Sequence, residues 1–171
     1  MGLSNAVSAD TVLNLTVRDI YDGVPFEEVN KSLILSARSL IEKDPAYSQV
    51  TARLLLNDLR REALGEELNR EEMVGRYPDY FPNFVKTGVE AELLDERMMQ
   101  FDLAKLGAAL KPERDEQFGY LGLQTLYDRY FLHIDDRRIE LPQAFFMRVA
   151  MGLSLGEVER EAMAIEFYNL L

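Results

Sequence analysis

FGYLGLQTLYDRYFLHIDDRRIELPQAFFMRVAMGL, residues 118–153, contains the change of rhythm that decides the fold. A helical segment leads into Tyr130–Leu141, where the helical spacing stops. There Tyr-Phe-Leu-His-Ile and Arg-Arg-Ile-Glu-Leu flank the polar pair Asp135-Asp136, which predicts a small β-hairpin with a polar turn. An isolated hairpin is marginal in water, so this one must pack on helices. Pro142 then opens another helix, with Phe145, Phe146, Val149 and Leu153 as its apolar positions.

The rest of the chain reads as helices separated by proline and glycine. Asp10 or Thr11 is placed to cap a first helix carrying Val12, Leu15, Ile20 and Tyr21, and Gly23 to end it. Pro25 starts a second, with Phe26, Val29, Leu33, Ala37, Leu40 and Ile41 as one stripe. Asp44-Pro45 starts a third, with Tyr47, Val50, Leu54, Leu55 and Leu59 on its buried side and its end at Gly65. Asn69 and Glu72 resemble a capping box. RYPDYFPNF, residues 76–84, has two prolines and predicts a packed loop. Asp95 is expected to cap one helix holding Met98, Met99, Leu103, Leu106 and Leu110, with Pro112 just beyond. A last helix follows Gly156, with Val158, Ala162, Ile165 and Leu170 as apolar positions. It reaches Leu170-Leu171 without a capping glycine, and the expectation is that it runs on in a longer protein. The predicted fold is mainly α: a single multi-helix orthogonal bundle over 1–171 with one small β-hairpin. Its first helical half is 10–110, and 115–171 supplies a helix, the hairpin and the closing helices.

Composition narrows the function. The chain has 171 residues, 47% hydrophobic and 29% charged, as in ordinary globular domains. No apolar run approaches the ~18 residues that cross a membrane. The opening MGLSNAVSAD has no basic stretch followed by an apolar one, so no secretory signal is read, and no Ser or Thr stands where myristoylation needs one. A net charge of −11 argues against a nucleic-acid partner. Arg60-Arg61 and Arg137-Arg138 sit beside acids and read as solvated surface. With zero cysteines there is no disulfide framework, thiolate metal site or thiol nucleophile.

No residue set carries a convincing reaction, so no catalytic, cofactor-binding or metal-binding residue is assigned. His133 is the only histidine, and with no cysteine a zinc site would need carboxylates for its other ligands; a structural role is expected. It has no Gly-x-Ser-x-Gly elbow to serve. Glu157, Glu159, Glu161 and Glu166 lack the Glu-x-x-His pairs of di-iron bundles and read as a solvated acidic face. Gly119-Tyr120-Leu121-Gly122 is not a dinucleotide loop, and no Walker loop is present.

Several motifs, in order, resemble one family. The first are Tyr21-Asp22-Gly23, then Asp44-Pro45-Ala46-Tyr47, then Ala52-Arg53 in DPAYSQVTARLLLNDLRREA. Next come Phe118, Tyr120, Gly122, Thr125 and Leu126 in FGYLGLQTLYDRYFL. Pro142, Gln143, Met147, Arg148, Val149 and Ala150 follow in ELPQAFFMRVAMGL, and EFYNLL closes the series. Together they resemble the N-terminal helical region of the large, catalytic subunit of ribonucleotide reductase. Residues 66–111 match that pattern weakly.

The resemblance implies a helical domain that packs against a catalytic barrel and helps to wall its substrate cleft. The family's Thr-Pro-Thr-like substrate segment, its Ser-Ser-Cys and its radical-bearing cysteine are absent from this chain. This chain alone is therefore expected to be inactive and to hold no cofactor. The family reduces ribonucleotides to deoxyribonucleotides, with nucleotide effectors and a radical from a metal-containing partner subunit or cobalamin. The implied partners are the remainder of the large subunit and, through it, a radical-generating small subunit, in the cytoplasm. The rival reading is a freestanding acidic helical binding module, or a split-gene subunit, without catalysis of its own.

Overall fold

The computed structural model describes residues 7–66, 68 and 70–171, except the side chain of Arg70. These residues are mainly helical, with one two-stranded antiparallel sheet. They group into two compact units that interleave along the chain. The first comprises residues up to Asp58 together with Glu116–Arg129; the second comprises Leu59–Asp115 and Tyr130–Leu171. The sequence halves 10–110 and 115–171 are thus each shared between the units.

The first unit contains α1 (Ala9–Asp19), α2 (Phe26–Ser39), most of α3 (Tyr47–Leu64) and α6 (Tyr120–Arg129). The cap of α1 is Ser8, not Asp10 or Thr11: its Oγ accepts from the Thr11 amide at 3.2 Å. Gly23 follows with φ 81°, a left-handed turn that glycine adopts without cost. Val12, Ala37, Leu40 and Tyr47 form a buried cluster, with Leu15, Leu33, Ile41, Val50 and Leu54 packed around it. Tyr21 and Phe26, expected in the stripes, are instead exposed. Both lie at helix boundaries, where the chain turns at Gly23. Asp44 caps the entry to α3 as expected, its Oδ1 accepting from the Ala46 amide at 2.8 Å. At the other end, the Gly65 amide closes the helix on the Arg61 carbonyl at 2.8 Å.

The second unit departs most from expectation in its first long helix. RYPDYFPNF is not a loop: it lies inside α4 (Arg70–Glu90), with Pro78 and Pro82 in the helix. Each internal proline costs about 3 kcal/mol. Against that, Met73, Tyr77, Phe81, Phe84 and Val85 share one face and are at most 3% exposed. Burying five such side chains, at about 1.5–3 kcal/mol each, outweighs the prolines. The cap proposed at Asn69 lies outside the described residues.

The single helix expected after Asp95 is two. Asp95 caps a 3-10 turn, Glu96–Gln100, and Asp102 caps α5 (Leu103–Ala108). Between them Phe101 is extended and 5% exposed, so seating its ring breaks the helix. A second 3-10 turn spans Pro112–Gln117, divided between the units after Asp115.

The hairpin forms where expected. β1 (His133–Ile134) pairs with β2 (Arg137–Arg138), His133 opposite Arg138 and Ile134 opposite Arg137. Asp135 and Asp136 have φ of 49° and 63°, the double left-handed tip of a two-residue turn. Helix α7 (Pro142–Ser154) starts on its proline, but its buried face is not the bulky one. Ala144, Met147, Ala150, Met151 and Ser154 are buried, whereas Phe145, Phe146 and Val149 are half-buried and Leu153 is exposed. Helix α8 (Arg160–Leu170) likewise buries Ala164 and Tyr168, leaving Val158, Ala162 and Leu170 exposed and Ile165 half-buried. The two helices pack on each other. At the last turn of α8, Arg114 donates to the carbonyls of Tyr168 and Asn169 at 3.1 and 3.4 Å. That places a cation at the negative end of the helix dipole.

Candidate functional site

The motif residues fall into separate clusters, one set in each unit. In the first, Tyr21 and Pro45 are exposed, and Tyr21 reaches Glu28 at 3.5 Å. The Tyr47 hydroxyl accepts from the Ser8 amide at 3.1 Å and so ties α1 to α3. The Tyr120 amide donates to the Ser48 hydroxyl at 3.0 Å, and the Arg38 guanidinium lies 5.8 Å from the Tyr120 ring centre. Arg53 pairs with Glu116 at 3.0 Å. Gly122 faces the half-buried Phe118 ring. These contacts hold α6 against α2 and α3.

In the second unit Pro142, Gln143 and Met147 are buried and Arg148 is half-buried. Gln143, 1% exposed, is the centre of a polar network. Its Nε2 donates to Asp115 Oδ1 at 2.8 Å, and its Oε1 accepts from the Tyr168 hydroxyl at 2.6 Å. Tyr77 donates to Asp115 Oδ2 at 2.8 Å, and Tyr168 accepts from the Lys111 amide at 2.9 Å. Arg60 lies 3.6 Å from Asp115 Oδ2 and is 2% exposed. Arg60 is therefore not solvated surface: it continues the inward face of Leu56 and Leu59 and is carried inside with them. Its Nε and Nη2 make no hydrogen bond, so Asp115 balances its charge without satisfying its donors. The neighbouring arginines behave differently. Arg137 donates from Nε to the Glu62 carbonyl, and Arg138 pairs with the Glu62 side chain, so the hairpin is pinned to the end of α3.

A second buried acid, Glu140, accepts from the Leu132 amide at 2.9 Å and from Arg148 Nε at 2.6 Å. The Tyr80 hydroxyl accepts from the Leu141 amide at 3.1 Å and donates to the Ile139 carbonyl at 2.5 Å. The strand-to-helix junction is thus held from both sides.

Electrostatics follow burial. Desolvation pushes the Asp115 carboxyl up to about 6, although bonds from Gln143 and Tyr77 and the charge of Arg60 pull it down. Burial also raises Glu140, against the pull of Arg148. Tyr77 and Tyr80 are raised well above the ordinary phenol value by burial, then by Asp115 and Glu140 respectively. Burial lifts Tyr168 to about 12. All three phenols therefore remain protonated donors at neutral pH.

Perturbed acids mark candidate catalytic groups only where a substrate can reach them. Arg60, Asp115, Gln143 and Glu140 are all at most 2% exposed. Two clefts with volumes near 500 Å³ open elsewhere, one over α4 and the hairpin, the other among α2, α3 and α6, and neither is lined by these four residues. The arrangement holds helices in register. His133 is exposed on the hairpin. Among the described residues no three of His, Cys, Asp and Glu converge on a metal position, and no helix is long and apolar enough to cross a membrane.

Sequence reading singled out Gln143 and Arg148 but missed Arg60, Tyr77, Asp115, Glu140 and Tyr168. Helical phase could have found Arg60, which lies four residues after Leu56. Nothing local distinguishes Asp115 within its run of charged neighbours.

Helices tied together by buried polar groups define an all-α domain with one small hairpin. Residues 116–171 match the family model described as "Ribonucleotide reductase, all-alpha domain". The chain is 43% identical over 163 residues to the ribonucleoside-diphosphate reductase subunit alpha of Chlamydia muridarum, covering 95% of this chain and 16% of that protein. It is 40% identical over 152 residues to the corresponding subunit of Helicobacter pylori strain 26695, covering 88% of this chain and 18% of that protein. The large subunit of vaccinia virus is 31% identical over 160 residues, 91% of this chain and 20% of the viral protein. The chain belongs to the ribonucleotide reductase large-subunit family, as its N-terminal all-alpha domain. It spans about a sixth to a fifth of the length of these relatives.

Proposed function

We propose that this domain serves a ribonucleoside-diphosphate reductase as a non-catalytic structural part that packs on the remainder of the large subunit and helps to wall its substrate cleft. The whole enzyme would reduce ribonucleoside diphosphates to deoxyribonucleotides for DNA synthesis in the cytoplasm. Nucleotide effectors and a radical from a metal-containing small subunit, or from cobalamin, would act outside this chain. The observation that carries this reading is 43% identity over 95% of the chain to a reductase alpha subunit. The composition supports it: with no cysteine, the chain can form neither a thiyl radical nor a reducing dithiol. Exposed Leu153, Val158, Leu170 and Leu171 give the second unit apolar surface to bury against such a neighbour.

The test has two arms. The purified chain should convert no ribonucleoside diphosphate to its deoxy form, and calorimetry should find no micromolar nucleotide binding; product formation would overturn the non-catalytic role. The chain should also co-elute with the separately expressed remainder of its large subunit. Failure to associate, with both parts folded, would overturn the packing role.

A further inference from the structure

The cleft in the first unit has a volume of about 460 Å³ and shares with the ties described above only Tyr120 and the Arg38 guanidinium beside its ring. Helix α2 lines it with Lys31, Ile34, Leu35 and Arg38, steps of three, one and three that form one stripe. Leu55 of α3, 4% exposed, lines it from below. On the far side α6 presents Leu121, Gln124 and Asp128, again in helical register. Two helices thus make walls and a third contributes to the floor.

Two properties of these walls point to an occupant. Leu35 and Leu121 are 58% and 78% exposed, so each wall carries a large apolar side chain in solvent. The charges of the two walls are also divided, while Asp58 of α3 adds a further acid to the lining. The α2 wall carries Lys31 and Arg38, a local cationic ridge in a chain of net charge −11. The α6 wall carries Asp128, which Gln124 holds by donating from Nε2 to Oδ1 at 2.8 Å.

We propose that this cleft is a docking groove for an amphipathic α-helix of another polypeptide, with its apolar stripe on Leu35, Leu55 and Leu121, an acidic flank along Lys31 and Arg38, and a basic flank along Asp128. Helix-in-groove recognition uses apolar anchors at i, i+3, i+4 and i+7, flanked by polar positions. A uniformly basic helix would set a cation against Lys31 and Arg38; a uniformly acidic one would set a carboxylate against Asp128. Like charges so placed disfavour the wrong partner more than matched charges strengthen the right one. An anionic membrane is a poor fit, because the acidic wall and the net charge both repel it.

The test uses three synthetic helical peptides with one leucine pattern and different flanks: glutamate on one side and lysine on the other, all glutamate, or all lysine. Fluorescence anisotropy with the full chain at physiological salt should show the mixed peptide binding about tenfold or more tighter than either of the others. Leu121→Glu should weaken it at least about tenfold, and because Leu121 is largely in solvent the variant should keep the wild-type melting curve. Lys31→Glu should erase the advantage of the mixed peptide over the all-lysine one. The proposal is overturned if no peptide saturates, if the all-lysine peptide binds best, or if neither variant changes binding. Self-association of the chain that Leu121→Glu abolishes would also overturn it, by making a second copy the occupant.

Discussion

In the first unit, beside the core of Val12, Ala37, Leu40 and Tyr47, two buried hydroxyls are satisfied within their own helices: Thr16 donates to the Val12 carbonyl and Thr51 to the Tyr47 carbonyl, while Ser36 Oγ makes no hydrogen bond. The second also buries Ser154, which donates to the Ala150 carbonyl of its own helix, but its main polar cluster joins groups distant in sequence. Arg60, Tyr77, Asp115, Gln143 and Tyr168 come from five separate segments. The first arrangement needs correct apolar spacing and little else. In the second, removing a member leaves further buried groups without partners beyond Arg60 Nε and Nη2, which already lack them. Point substitutions should therefore separate the units sharply.

The largest effect is expected at the hub. Asp115→Ala removes the counter-charge of Arg60 and leaves Tyr77 and Gln143 each short of an acceptor. Removing one partner of a buried ion pair typically costs about 3–5 kcal/mol. Urea denaturation at neutral pH, followed by amide exchange resolved along the chain, should show the loss in residues 59–115 and 130–171. A loss under about 1 kcal/mol would mean that water readily replaces the network, and would erase the contrast between the units.

The next effect depends on pH. Burial pushes the Asp115 carboxyl up to about 6, from the value of about 4 of a carboxyl in water. The folded state thus binds its proton more tightly than the unfolded chain does. This contribution is fully favourable below about pH 4 and is lost as pH rises through 6. Two pH units correspond to about 3 kcal/mol. Asp115→Asn should flatten the stability profile between pH 4 and 6 relative to wild type. An unchanged profile would show that Asp115 does not carry the titration.

The same contrast explains what the sequence made legible. The mainly α fold, the hairpin with its Asp135-Asp136 tip, and the Asp44 and Gly65 helix ends depend on local residue chemistry, and they were read from it. Most of the first core was read too, since its apolar residues repeat at helical spacing. The second unit resisted because its determinants are long-range. Pro78 and Pro82 argue locally for a loop, and only the burial of Tyr77, Phe81 and Phe84 against other segments overrides them. In α7, Phe145, Phe146 and Leu153 outweigh Ala144 and Ala150 in any count of hydrophobicity. Yet Ala144 and Ala150 are fully buried, while Phe145 and Phe146 are half-buried and Leu153 is exposed. The network shows the same limit: Gln143 stood out through a family resemblance, while its acceptor Asp115 was one acid among many.

A smaller effect is expected from the ion pair of the first unit. Arg53 and Glu116 are 3.0 Å apart, but their side chains keep 35% and 21% of their exposure. Solvent screens such a pair, and Arg53→Ala should cost about 0.2–1 kcal/mol by urea denaturation, several-fold less than Asp115→Ala. Comparable losses for the two variants would place a decisive polar tie in the first unit and blur the distinction between apolar and polar cores.

The smallest effect belongs to an aspartate that titrates in the opposite sense. Asp95 caps the Glu96–Gln100 turn, accepting from the Arg97 amide and from the Arg97 guanidinium. The side-chain bonds from Arg97 hold its carboxyl down to about 2, with the backbone bond adding to the effect. A depressed acid stabilises the fold above its unfolded value and loses that contribution as pH falls toward 2. Because Asp95 lies at the surface with only Arg97 as its partner in this turn, the loss should be local. Between pH 4 and 2 the Arg97 and Met98 amides should exchange faster, while the global unfolding midpoint stays almost unmoved by Asp95→Ala. Within one unit, then, acid tightens the fold at Asp115 and loosens it at Asp95. Burial decides the sign: desolvation dominates the enclosed carboxyl, and hydrogen bonding dominates the open one. If the Arg97 and Met98 amides remain protected down to pH 2 while Asp95→Ala exposes them at neutral pH, the cap does not depend on charge and this assignment of the sign fails.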